Sequence, residues 1–189
     1  MCNYNINTGA WSDIVYDQFL SDGAVLDLRN YFHNTIIVVA GGFNKIGDNQ
    51  FSNIALLSYT YQVVGQAVVY NYDWLIDFHD FYAVDIQGVV SNIVTYNETI
   101  IIGGSFYFNQ SGELHYTIAS FSIENGWENL HFPLKFTNTS DPIATIYSNF
   151  IHDLELSSDA KYLYVSGKFL LVNNFWSALF NYFLLSLQK

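Results

Sequence analysis

Short apolar runs separated by polar turns dominate the chain, and no long stretch keeps a helical period. The runs at Ile36-Ile37-Val38-Val39-Ala40, Thr99-Ile100-Ile101-Ile102 and Tyr162-Leu163-Tyr164-Val165 are continuously apolar rather than alternating. A strand reads this way when both faces of its sheet are covered. Each run follows another strand-like stretch, at Ala24–Leu28, Val89–Ile93 and Ile151–Leu156, and ends at glycine. A polar loop and a further apolar run come next, at Asn53–Leu57, Thr117–Phe121 and Ser177–Phe180. The unit is therefore strand, tight turn, strand, loop, strand, turn, Trp-bearing strand. It predicts one repeat domain over 1–189, with blade-like units at approximately 3–58, 59–122 and 123–189.

Two sets of markers carry the period. Gly42, Gly104 and Gly167 recur at steps of 62 and 63, the first two as the pairs Gly41-Gly42 and Gly103-Gly104. Phe43, Phe106 and Phe169 follow them. Trp11 and Trp74 stand 63 apart, and Trp127 comes 53 later, before a longer loop from Thr137 to Ile146. The glycines suit positive φ or close backbone approach, and the phenylalanines suit the gap between packed sheets. Such self-similarity marks repeat architectures. The expected fold is all-β and β-propeller-like: about three four-stranded antiparallel blades, a partial propeller, since rings usually hold about four to eight blades. Further blades are expected from a longer parent chain or from self-association. Asp73 to Ile86 departs from the scheme: apolar residues at 74, 75, 78, 81, 82 and 86 suggest a short helix with Asp73 as a possible N-cap.

The combination of Asn7-Thr8-Gly9-Ala10-Trp11-Ser12, Gly41-Gly42-Phe43, Asn53-Ile54-Ala55, Gly103-Gly104-Ser105-Phe106, Ile118-Ala119 and Asn125-Gly126-Trp127 resembles a known repeat. It is that of the ectodomain of fungal cortical-marker (bud-site-selection) proteins and related bacterial and protist surface proteins. It is more distantly similar to kelch-type repeats. The resemblance implies a non-enzymatic surface propeller, glycosylated and anchored in a membrane elsewhere in the polypeptide. The third copy departs from it, with Ser166 in place of the first glycine.

Composition agrees with strands: aromatics reach 19%, with 15 Tyr and 16 Phe. Six Lys and Arg against 17 Asp and Glu give a net charge of −11, which disfavours nucleic acid as a partner. A single cysteine, Cys2, excludes an intrachain disulfide. Residues 1–20 show no basic start followed by an apolar run, so no signal peptide is expected there, although the resemblance implies the cell surface or secretory pathway. The apolar stretch Phe169–Leu187 is interrupted by Asn173, Asn174 and Asn181 and reads as a buried strand rather than a membrane helix.

Candidate chemistry is sparse. Asn97, Asn109 and Asn138 head N-glycosylation sequons in expected turns or loops. Asp73, Asp77, His79, Asp80 and Asp85 cluster without the spacing of a calcium loop or zinc motif, so they read as a solvated acidic turn. His33, His115, His131 and His152 are scattered over different units, and no nucleophile elbow, phosphate loop or metalloprotease motif appears. No catalytic, metal or cofactor residues are assigned. Tyr59, Tyr61, Tyr70, Tyr72 and Tyr107 suit recognition of a protein or sugar if they are exposed in loops, and core packing if they lie between blades. The expectation is a non-enzymatic structural or protein/glycan interaction module with an unidentified protein or glycan partner. The alternative is a kelch-like enzyme domain with its site on the propeller axis.

Overall fold

The computed structural model describes residues 2–5, 10–13, 20–32, 35–65, 67–128, 130, 134–135, 150–168, 170–171 and 181–186. The fold is all-β, in antiparallel sheets of two to four strands. Strands β1 (Cys2–Asn5) and β2 (Ala10–Asp13) pair as a two-stranded sheet. The first large sheet comprises β3 (Ala24–Tyr31) and β4 (Ile36–Gly42), then, beyond the small hairpin of β5 (Lys45–Ile46) and β6 (Asn49–Gln50), β7 (Ile54–Val64) and β8 (Ala67–Trp74). A connector carries α1 (His79–Tyr82). The second sheet is β9 (Gln87–Tyr96), β10 (Thr99–Gln110), β11 (Glu113–Ser122) and β12 (Gly126–Glu128). After β13 (Leu134–Lys135) comes the third sheet, with β14 (Phe150–Leu156) and β15 (Tyr162–Lys168). Strand β16 (Leu170–Leu171) returns to pair with β13, and β17 (Asn181–Ser186) completes the third sheet. Each large sheet is a meander in chain order, spanning 24–74, 87–128 and 150–186. Among the described residues the third has three strands where four were expected.

The Trp strands hold one register. Tyr4 pairs with Trp11, Leu57 with Trp74 and Phe121 with Trp127. A second shared feature explains the glycines. The first strand of each large sheet carries a β-bulge, at Leu26, Ser91 and His152, where two residues oppose one. The partners facing the bulge are Gly41, Gly104 and Gly167. A methyl at any of them would overlap a backbone carbonyl, that of Ala24, Val89 or Phe150. The repeat therefore aligns Gly41, not Gly42, with Gly104 and Gly167, and both steps become 63. Gly42 occupies a different place, with the Val89 Cγ2 methyl 3.3 Å from where its Cβ would lie. Phe43 and Phe106 then also stand 63 apart and both are buried; Phe169 lies outside the described residues.

Packing sets the sheets face to face. Val38, Ala40, Ile54 and Leu56 of the first sheet meet Val90, Ile93, Ile100, Ile102 and Phe106 of the second. The other face of the second sheet presents Val94, Ile101 and Ile118 to Ile151, Leu154, Leu163 and Val165 of the third. The apolar run of β10 is thus buried on both sides, as its pattern demands. The run of β15 differs: Leu163 and Val165 are buried, but Tyr162 and Tyr164 face outward, Tyr164 being 48% exposed. A tyrosine ring counts as apolar in a pattern yet keeps a hydroxyl that tolerates water, so the continuous run there hid an alternating strand. Polar bonds tie the sheets as well. Asp27 Oδ2 accepts the Ile93 N–H at 2.8 Å, and the Tyr31 hydroxyl donates to the Glu98 carbonyl at 2.7 Å. Between the second and third sheets, the Asn92 amide donates to the His152 carbonyl at 2.9 Å.

The connector holds a single helical turn. Phe78, not Asp73, occupies its N-cap, without a side-chain bond, because Asp73 is still in β8 opposite Ser58. Phe81 is fully buried, and Leu75, Phe78 and Tyr82 pack beside it. The Tyr82 hydroxyl accepts the Leu56 N–H at 2.9 Å. Burial raises the Tyr82 phenol well above its ordinary 10.0, against the smaller opposing effect of that bond. The unfolded chain ionises near pH 10 while the folded phenol keeps its proton. Its contribution is therefore complete below that pH and is lost as pH climbs above it. Urea midpoints should fall above pH 10 in the parent protein and fall less steeply in Tyr82→Phe.

Asn53, just before β7, and Thr117, at the register shift within β11, each precede the Ile-Ala pair that faces the inner strand, and both are buried and left-handed, at φ 66° and 57°. Asn53 suits that conformation. Its side-chain oxygen accepts the Phe43 N–H at 2.9 Å and its nitrogen donates to the Ile86 carbonyl at 2.7 Å. Thr117 is β-branched, which strains it there, and its buried hydroxyl has no partner. Thr117→Asn should raise the unfolding free energy by about 1 kcal/mol in urea titration. An unchanged or lowered midpoint would refute the equivalence.

Candidate recognition surface

Strands β7 and β8 run well past the rest of their sheet. Strand β4 pairs with β7 only as far as Ser58, with one further bond from the Tyr59 N–H to the Thr35 carbonyl at 2.9 Å. Beyond that point the ribbon is two-stranded, and among the described residues no strand pairs with either of its edges. Its turn is made at Gly65, whose φ of 65° a side chain resists.

Directly opposed residues share a face. The opposed pairs Tyr59–Tyr72, Tyr61–Tyr70 and Val63–Val68 therefore form one face of the ribbon. The rings of Tyr59 and Tyr72 lie 6.3 Å apart, those of Tyr61 and Tyr70 6.2 Å, and Tyr70 stacks on Tyr72 at 6.3 Å. The tip is open: Tyr61 is 65% exposed and Val63 67%. The opposite face adds exposed Val64 and Val69. Residues 59–72 contain no charged side chain, in a chain of net charge −11. An uncharged, apolar ribbon with open edges is what soluble proteins usually cover or blunt.

The tyrosines expected in loops thus stand on strands, and four of them converge. Tyr107 does not join them: it lies in β10, paired with Tyr116 at 6.5 Å between ring centres. A sequence signal for the hairpin exists in its mirror symmetry about Gly65-Gln66, with Tyr, polar, Tyr at the far end of each strand and Val nearer the turn.

Other candidate residues do not assemble. Asn97 is exposed at the tip of the β9–β10 hairpin, and Asn109 lies in β10, its side-chain oxygen accepting the Gly112 N–H at 2.9 Å. Asn138, His33 and His131 lie outside the described residues. His115 is buried against Phe108, with ring centres 4.6 Å apart, whereas His152 is exposed beside Phe150. Asp77 is exposed, and Asp85 accepts hydrogen bonds from Ser52 and Gln87. No group of three or more His, Cys, Asp or Glu side chains among the described residues is placed to hold a metal ion. Nor is any described helix long and apolar enough to cross a membrane. A cavity of about 470 Å³ between the turns at 30–32 and 95–98 is walled by those turns, with Asn97 on its rim.

No family model, curated protein or solved structure matches the chain.

Proposed function

We propose that the chain is a non-enzymatic interaction module, a segment of propeller-type blades whose working surface is the tyrosine–valine ribbon of β7 and β8. The single observation that carries this is the convergence of Tyr59, Tyr61, Tyr70 and Tyr72 on one exposed, uncharged face. Tyrosine supplies large, stiff contact area with a polar tip, which is why it is enriched where proteins recognise partners. Size narrows the choice of partner. Six residues per strand at about 3.4 Å each, on a ribbon about 10 Å wide, offer roughly 200 Å², far below the ~800 Å² each side of a stable protein complex. The partner is therefore narrow, an extended peptide or a glycan chain, and uncharged where it meets the ribbon. The repeat resemblance to surface propellers supports the same reading.

The Tyr61→Ser/Tyr70→Ser pair tests it. Both rings are exposed, so stability should change by about 0.5 kcal/mol or less. Peptide and glycan arrays probed with the parent protein should retain a ligand that the pair loses. No ligand on either array, or equal retention by the pair, would sink the proposal.

A further inference from the structure

A second concave site lies away from the ribbon. The loop after Phe43 and the connector before β9 enclose a cleft of about 450 Å³, within the range of small-ligand sites. Its rim is polar: Asn44, Gln50 and Ser52 come from the loop, Asp85 and Gln87 from the connector. Its apolar lining includes the exposed Ile76 and, deeper, Phe51, Ile54 and Phe81.

The walls are held in place before any ligand arrives. The Ser52 hydroxyl donates to Asp85 Oδ1 at 2.8 Å, and Gln87 Nε2 donates to Asp85 Oδ2 at 2.7 Å. Beneath them the buried Asn53 amide bridges loop to connector through the Ile86 carbonyl. Asp22 Oδ1 accepts the N–H groups of both Asn44 and Lys45 at 2.9 Å, pinning the start of the loop. A site fixed in this way loses little to ordering when it binds.

Its chemistry selects the ligand. Among the described residues no Lys or Arg lines the cleft, so phosphates and carboxylates find no counter-charge there. Asp85, the ionised group among the described lining residues, is exposed, so solvent screens the attraction it offers a lone cation. Each of its oxygens keeps a free acceptor site beside the bond from Ser52 or Gln87. Three amides and a hydroxyl both donate and accept, matching groups that do the same. The exposed Ile76 side chain matches a ring with C–H faces.

We infer that this cleft binds a neutral polyhydroxylated ring compound, a mono- or disaccharide. Recognition rests on the amides of Asn44, Gln50 and Gln87, with Asp85 as the acceptor for paired hydroxyls. With so few ligand atoms, affinity falls in the millimolar range.

The test is a titration of the whole chain, followed by amide NMR shifts, with glucose, N-acetylglucosamine and cellobiose. Agmatine and inorganic phosphate are the cationic and anionic probes. Saturable shifts at Asn44, Ser52, Asp85 and Gln87 are expected with at least one sugar. Asp85→Ala should weaken binding about tenfold. Gln50→Ala, which leaves the Asp85 bonds intact, should weaken it several-fold. The Tyr61→Ser/Tyr70→Ser pair should bind sugar normally, so this inference and the ribbon reading fail separately. Absence of saturable binding by all three sugars overturns it. So does tighter binding of agmatine or phosphate, or unchanged affinity in both cleft variants.

Discussion

Gly104→Ala should lose about 3 kcal/mol of unfolding free energy, a large cost for a single added methyl. The position leaves no room for a cheaper response. The Cβ would meet the Val89 carbonyl, with the Ser91 nitrogen 2.9 Å and the Val90 Cα 3.1 Å away, all of them backbone. Relief requires flattening the bulge at Ser91, which would shift β9 against both neighbouring sheets. Gly41→Ala and Gly167→Ala should behave alike, because the same overlap recurs there. Gly42→Ala should cost much less, since only the Val89 side chain must yield. Gly112→Ala makes the second comparison. Its surroundings are open, but its φ of 88° makes alanine cost about 1 kcal/mol through strain alone. Urea titrations of the five variants decide the matter. Equal losses at Gly41 and Gly42 would contradict the 63-residue alignment.

Phe81→Ala should cost about 4 kcal/mol, as truncation of a fully buried ring does. Phe81, beside Phe78, docks the connector on the second sheet. Its ring meets Phe121 edge-on at 4.9 Å and Trp127 at 5.3 Å. Its carbonyl accepts the Trp127 indole N–H at 2.7 Å in a buried site. Removing the ring opens a cavity beside Trp127 and loosens the bond above it, so indole emission should shift to the red even in the folded protein. Phe81→Leu, which fills most of the space, should lose less than half as much. A Phe81→Ala protein with parental stability and emission would mean the connector is not anchored there.

Much of the architecture could be read in the residues because its markers answer steric demands. A bulge that presses a carbonyl against the next strand admits only glycine, so glycine recurs wherever the bulge does. The one-residue ambiguity at Gly41-Gly42 arose because adjacent glycines look alike until the opposing strand is seen. The outward tyrosines of β15 misled for a different reason, since a ring that tolerates water scores as core in an apolar pattern. The tyrosine–valine ribbon was half readable. Its tyrosines stood out, but which face they shared depended on a hairpin register. The cleft was not readable at all: Ser52 and Asp85 lie 33 positions apart and meet only when the connector folds back.

Among the described residues the second sheet is packed between two other large sheets, its predecessor through Ile100 and Ile102 and its successor through Ile101. Amide protons along β10 cannot reach solvent by the parting of one interface. Exchange there waits on the loss of both neighbours, while the outward rim of the third sheet trades its protons in local openings. The centre of the chain therefore sets the lifetime of the whole.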